Sequence, residues 1–108
     1  MAKKDTHDYL HGIAHLLPPV HPGSVLADEM RARSLSANEL AVALRVPANR
    51  ISDIVRGHRS LSAETALRLG RYFGTGGALW ANLQTQYDLA VAERDFGAWI
   101  DREVRMPA

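Results

Sequence analysis

The segment from Ser36 to Gly57 constrains the fold of this 108-residue chain more than any other part of the sequence. Its apolar residues recur at helical spacing, which predicts two short helices joined by a tight turn. Ser36-Ala-Asn-Glu39 has the form of a capping box, in which two side chains satisfy amide groups at the start of a helix. The second helix begins near Pro47, and Gly57 stands where a left-handed residue ends a helix.

Small and branched apolar residues occupy the positions where these two helices must touch. Ala41 leaves room for the crossing helix, and Val46 fills the turn. Ile51 and Ile54 seat the second helix on the core. Arg45 stands at the turn itself, where the backbone is expected to be left-handed and a residue other than Gly costs about 1 kcal/mol.

With that apolar stripe buried, the polar residues of the second helix face solvent. Asn pairs bidentately with adenine and Arg with guanine, so such a surface can read base edges in a major groove. The loop from Arg56 to Arg59 places donors beside it, where phosphates would run. The alternative is an ordinary helix pair whose polar residues are merely solvated. The DNA-binding residues predicted for this helix and loop are Ala48, Asn49, Arg50, Ser52, Asp53, Arg56, His58 and Arg59.

The distribution of charge favours a polyanionic partner for the middle of the chain, although the net charge is only +1. Residues 31–71 carry +5, from eight Arg against three acidic residues, whereas residues 1–30 and 72–108 each carry −2. A basic centre between acidic flanks suits nucleic-acid binding by the centre. Uneven but ordinary surface charge is an equally good explanation of this pattern.

Composition excludes several other classes of protein. The chain has no Cys, which excludes disulfides and thiolate metal sites and fits a reducing compartment. No apolar run is long enough to span a membrane, and the polar start lacks a secretory signal, so we expect a cytoplasmic protein. Neither a Gly-rich phosphate loop nor a Ser/His/Asp arrangement is present, so we expect no enzyme activity and no cofactor.

The segments on either side of the helix pair also show helical patterns, so the expected fold is all-α. We expect an N-terminal extension, with a possible short helix, at residues 1–20. The helix-turn-helix domain with a dimerisation helix follows at 21–94, and a C-terminal amphipathic helix at 95–108. In the dimerisation helix, Trp80, Leu83 and Tyr87 share one face, and we expect them in the core or at a dimer interface.

Three histidines in the N-terminal extension have the spacing of a possible metal site. His7, His11 and His15 would form one column on a helix, and pairs spaced by four can bind zinc. No carboxylate or Cys completes that site, so we expect a solvated face and no bound metal.

Several motifs together resemble the HigA/VapI-type antitoxins, which are Xre, or lambda-repressor-like, helix-turn-helix proteins. The resemblance covers about residues 20–94. Ala37 departs from the family pattern, which often has Gln there to contact a phosphate. The matching pieces are His21-Pro22-Gly23, Leu35-Ser36-Ala37-Asn38-Glu39-Leu40-Ala41, Val46-Pro47-Ala48-Asn49-Arg50-Ile51, Ile54-Val55-Arg56-Gly57-His58-Arg59, Thr65-Ala66-Leu67-Arg68-Leu69 and Leu79-Trp80-Ala81-Asn82-Leu83-Gln84 with Tyr87-Asp88-Leu89.

The resemblance implies a five-helix, lambda-repressor-like domain with extra helical segments at both ends. It implies a homodimer that binds double-stranded operator DNA, represses its own operon and neutralises a RelE/HigB-like, mRNA-cleaving toxin. It also implies that Ser36 and Asn38, at the start of the first helix of the pair, belong to the DNA-binding residues. The alternative is a free-standing Xre-type repressor without a toxin partner. The N-terminal extension lies outside the family match, and we expect it to contact the toxin or the dimer mate. The apolar stripe of Phe96, Trp99, Ile100 and Val104 would pack on the same chain, the dimer mate or the toxin.

Overall fold

The computed structural model describes residues 18–107, and all regular structure in that part of the chain is helical. The prediction of an all-α fold is confirmed. The three N-terminal histidines and most of the predicted N-terminal extension (residues 1–17) lie outside the described residues. The described helices are α1 (Pro22–Ala32), α2 (Ala37–Leu44), α3 (Ala48–Val55), α4 (Ala63–Phe73) and α5 (Gly77–Glu103).

The chain divides into two compact units. One unit is Val20–Tyr87, and the described part of the other comprises residues 18–19 and 88–107. The first unit contains α1 to α4 and the start of α5, and it therefore holds every residue of the predicted DNA-binding surface.

Side-chain caps define where α2 and α4 begin. The Glu39 amide donates to Ser36 Oγ at 3.0 Å, and the Ser36 amide donates to Glu39 Oε1 at 2.9 Å, so the predicted capping box is confirmed. Ser62 Oγ accepts from the Thr65 amide at 3.2 Å and caps α4 in the same way. Such caps contribute about 1 kcal/mol each and fix the direction in which a helix starts.

The turn between α2 and α3 has the left-handed backbone that its sequence predicts. Arg45 adopts φ 61° and ψ 45° at the end of α2. The Val46 amide then donates to the Ala41 carbonyl at 3.0 Å, which closes the turn and reverses the chain. Gly57 ends the segment after α3 with φ 77°. The predicted left-handed backbone at Arg45 and at Gly57 is confirmed.

One hydrophobic core joins α1 to α4 and the start of α5 in the first unit. Ile51 and Ile54 of α3 are 0% exposed, so α3 is seated by its apolar side. Full burial of a side chain of this size contributes about 1.5–3 kcal/mol. The residues buried in this core are Leu26, Met30, Leu40, Ala41, Leu44, Ile51, Ile54, Leu61, Ala66, Leu69 and Trp80.

The start of α1 lies against the backbone at the end of α3. A Cβ atom built on Gly23 would lie only 1.8 Å from the Ile54 carbonyl oxygen, so the two helices approach too closely there for any side chain. His21 caps α1, because its Nδ1 accepts from the Gly23 amide at 2.9 Å.

Helix α5 is longer than expected, because it continues from Gly77 to Glu103 without the predicted start of a separate helix at residue 95. The reason is local: residues 92–94 are Ala-Glu-Arg, all strong helix formers, and Gly97 alone costs only about 1 kcal/mol. The predicted boundary at residues 94 and 95 is therefore not a break in secondary structure. None of the described helices is both long and apolar enough to cross a bilayer.

The second unit contains the predicted C-terminal apolar stripe. Phe96, Trp99, Ile100 and Val104 are 50%, 54%, 46% and 68% exposed, respectively. The Phe96 and Trp99 rings are neighbours, with centroids 6.4 Å apart. Large apolar side chains that remain this exposed are typical of contact surfaces.

Candidate nucleic-acid interface

The two sides of α3 differ completely in character. Its apolar side is buried, as described above, and its polar side faces solvent. Ala48, Asn49 and Arg56 are exposed, and Ser52 and Asp53 are half-buried. At 100° per residue these five positions fall within an arc of about 140° opposite the buried isoleucines. The helix therefore presents one continuous polar face, as the spacing predicted.

Two residues of this face offer different hydrogen-bonding groups. The Asn49 side chain ends in an amide with both donor and acceptor atoms, which is the pattern that pairs with adenine. The Ser52 hydroxyl lies 3.4 Å from the Ala48 carbonyl and 3.3 Å from the Asn49 carbonyl, and it donates within its own helix. Toward a ligand, the Ser52 hydroxyl oxygen therefore mainly accepts hydrogen bonds.

Arg50 does not lie fully on the polar face. Its side chain is only 27% exposed, and its Nη1 lies 3.9 Å from Glu64 Oε1 in α4. The sequence placed Arg50 beside the outward face but gave no indication of this acidic neighbour. The guanidinium is thus at the edge of the face, next to a carboxylate.

The loop after α3 is tied to the end of that helix. The Gly57 amide donates to the Ile54 carbonyl and the His58 amide to the Asp53 carbonyl, both at 2.9 Å. His58 and Arg59 are exposed at this point, so two side chains that can donate to phosphate lie directly beyond the polar face.

Helix α5 anchors the other end of this loop. The Leu61 amide donates to Gln84 Oε1 at 2.7 Å, and Gln84 is only 7% exposed. The bond satisfies a buried backbone group that would otherwise be costly. Gln84 is not among the predicted site residues, although a Gln beside the apolar stripe of α5 is a usable signal of a buried polar contact.

At the start of α2, Ser36 and Asn38 are both exposed, and their contact with DNA stays a prediction. The capping box also lowers the pKa of Glu39 below its ordinary value of 4.5. The larger cause is the hydrogen bond from the Ser36 backbone, and the smaller is the hydrogen bond from the Ser36 side chain. The Glu39 carboxylate is therefore ionised at neutral pH and satisfies the helix start itself.

The predicted core or dimer residues of α5 differ in their surroundings. Trp80 is 1% exposed and belongs to the core, where its Nε1 donates to Thr75 Oγ1 at 3.0 Å. Leu83 and Tyr87 are half-buried. The Tyr87 ring meets the ring of His21 edge-on at 4.8 Å. A dimer contact by Leu83 or Tyr87 stays a prediction.

This surface has the chemistry of a binding face. Its groups are amides, hydroxyls and guanidiniums with solvent access, on a helix held rigidly from behind. Among residues 18–107 there is no group of three or more His, Cys, Asp or Glu side chains that could hold a metal ion.

Comparison with known proteins places this surface within a recognised domain. The helix-turn-helix domain family matches residues 23–83. Virulence-associated protein I of Dichelobacter nodosus is 50% identical over 80 residues, which is 73% of this chain and 74% of that protein. The uncharacterized HTH-type transcriptional regulator YbaQ of Escherichia coli (strain K12) is 37% identical over 78 residues, 71% of this chain and 69% of the regulator.

A solved structure shows the same arrangement of helices. The Pseudomonas aeruginosa antitoxin HigA, solved with the higBA promoter, is 43% identical to this chain with a TM-score of 0.81. The match covers 84% of this chain and 100% of the HigA chain.

Proposed function

Because this chain belongs to the Xre-type helix-turn-helix family, with Virulence-associated protein I and the HigA antitoxins, we propose that it is a DNA-binding antitoxin that represses its own operon. The observation that carries the proposal is the polar face of α3, which is exposed while Ile51 and Ile54 hold the opposite side in the core. The similarity to a HigA structure solved with its promoter supports it.

In this proposal a homodimer places two copies of α3 in successive major grooves, about 34 Å apart. Asn49, Arg50 and Arg56 read base edges, with Ala48, Ser52 and Asp53 lining the same groove. Ser36 and Asn38 at the start of α2, and His58 and Arg59 beyond α3, contact phosphates and set the register. All ten predicted residues thereby act on one stretch of duplex.

The DNA-binding proposal is tested with one base-reading and one phosphate-contacting variant. Asn49→Ala is expected to cost about 1–3 kcal/mol on the operator and to relax the base preference at one position. Arg59→Ala is expected to weaken binding to every sequence alike and to lower the salt slope by about 1. Gel-shift titrations at several salt concentrations measure both. If neither substitution alters operator binding, α3 is not the reading helix.

Toxin neutralisation is the second part of the proposal. A RelE/HigB-like toxin binds mRNA and so carries a basic surface, and the acidic flanks of this chain suit that surface (residues 1–30 and 72–108 each carry −2). Co-expression with the neighbouring gene should yield a stable complex and rescue growth. Deleting residues 1–18 should weaken toxin binding or dimerisation; if it changes neither, the N-terminal extension has no part in them.

A free-standing repressor of the Xre type is the alternative function. The similarity to YbaQ, whose name describes a transcriptional regulator, favours it. The two functions share the same DNA-binding surface and differ only in the toxin. A short RelE-like reading frame beside the gene supports the antitoxin, and its absence supports the free-standing repressor.

A further inference from the structure

Glu64 connects the two helices of the helix-turn-helix pair through a chain of charged contacts. One carboxylate oxygen lies 3.9 Å from Arg50 Nη1 in α3, and the other accepts from Arg68 Nη2 at 3.0 Å. The other terminal nitrogen of Arg68 donates to the Leu44 carbonyl at the end of α2, also at 3.0 Å. The contacts therefore run from α2 through α4 to α3.

This chain of contacts holds Glu64 in place from one side. Arg68 is fixed by the Leu44 carbonyl at the end of α2, which carries the negative end of the helix dipole and favours a cation. A carboxylate bound to a fixed guanidinium has fewer rotamers than a solvated one. Glu64 thus presents its second oxygen to Arg50 from a defined position.

We propose that Glu64 is a positioning residue that determines how selectively Arg50 reads DNA. This inference rests on the proposed DNA-binding function. Arg50 has five N–H donors, and one terminal nitrogen turned toward Glu64 leaves its remaining donors for a bidentate contact with guanine. A long side chain held in this way is oriented before it meets the base, and less rotamer freedom is lost on binding.

The charge of Glu64 has a second effect, which acts on affinity rather than on selectivity. A carboxylate beside the DNA-binding surface is repelled by phosphates whatever the base sequence, so it lowers affinity for all DNA. The contact between a positioned Arg50 and its base offsets that repulsion only at the correct site. The repulsion itself is the same at every sequence, so the ratio of specific to non-specific binding depends on how Glu64 positions Arg50.

The test compares Glu64→Gln with Asp28→Asn as a matched control. Both substitutions remove one negative charge from an exposed ion pair, since the Glu64 and Asp28 side chains are 63% and 73% exposed, but Asp28 pairs with Arg31 in α1. Affinities of the full-length protein are measured for the operator, for operators changed at single base pairs and for a scrambled duplex. Thermal unfolding of each variant shows whether the fold is retained.

For Glu64→Gln we expect stronger binding to the scrambled duplex and a roughly two- to fivefold loss of discrimination at one base pair, the range that an exposed ion pair can supply. Asp28→Asn should keep the wild-type discrimination. In an Arg50→Ala background, Glu64→Gln should cause no further loss. Unchanged discrimination, or an equal loss in the Arg50→Ala background, would overturn the proposal. A wild-type protein that does not distinguish operator from scrambled duplex would instead overturn the proposed function itself.

Discussion

Adding a single methyl group at Gly23 tests how α1 supports the DNA-facing helix. The Cβ of Gly23→Ala would lie 1.8 Å from the Ile54 carbonyl oxygen and 2.8 Å from its carbonyl carbon. Carbon–oxygen contacts normally begin near 3.3 Å, so α1 and α3 would have to separate locally by about 1.5 Å. The obstructing atoms are backbone, so no side-chain rotation can relieve the contact.

The cost follows from core overpacking, which is typically about 1–3 kcal/mol and more where backbone must move. Ala is the better helix former by about 1 kcal/mol, which offsets part of this cost. We therefore expect Gly23→Ala to lower the free energy of unfolding by about 2 kcal/mol, which corresponds to a fall in Tm of roughly 8–16 °C for a domain of this size.

Thermal and urea unfolding followed by circular dichroism measure this change. Ser24→Ala is the control, because Ser24 is the exposed neighbour of Gly23 on α1; it removes only one exposed hydrogen bond, from Ser24 Oγ to the His21 carbonyl at 2.9 Å, so we expect a change of about 0.5–1 kcal/mol. Operator affinity of Gly23→Ala should fall as well, since the displaced atoms belong to α3. Equal Tm values for the two variants would refute the close approach of α1 to α3.

Three further changes test other parts of the unit. Gln84→Met leaves the buried Leu61 amide without its acceptor, so we expect a loss of about 1–3 kcal/mol and faster hydrogen exchange of that amide; unchanged exchange would contradict the contact. The lowered pKa of Glu39 means that its carboxylate stabilises the fold above pH 4.5, and that this contribution disappears as the pH falls through the lowered value. The difference in unfolding free energy between wild type and Glu39→Gln should therefore be present at neutral pH and shrink in acid, and a difference independent of pH would argue against an ionised cap. Arg45→Gly relieves the left-handed backbone at φ 61°, and we expect about 0.5–1 kcal/mol of added stability, detected as a higher Tm.

The parts of the fold that the sequence predicted well are those set by neighbouring residues. The capping box at Ser36 and the left-handed Arg45 depend on contacts within a few positions, and both are present as predicted. The buried stripe of α3 follows from helical spacing alone. These features could be predicted because their physical cause lies within one turn or one helix of the residue concerned.

The contacts that escaped prediction join residues far apart in the chain. The ion pair between Arg50 and Glu64 and the hydrogen bond between Leu61 and Gln84 span 14 and 23 positions. Neither leaves a periodic pattern, since each depends on how whole helices are placed against each other. The unbroken α5 has a different origin: the family resemblance ends near residue 94, yet residues 92–94 are strong helix formers and the helix continues through them.

The opposite faces of α3 have a consequence for how proteins of this type diversify. Stability depends on Ile51 and Ile54, whereas Asn49 and Arg56 stand on the solvent side and have little role in packing. Selection can therefore exchange the reading residues without endangering the fold, and duplicated copies can drift toward operators that do not cross-react. Arg50 is the exception, because it lies beside Glu64 of α4, so a new residue there also changes a contact between two helices.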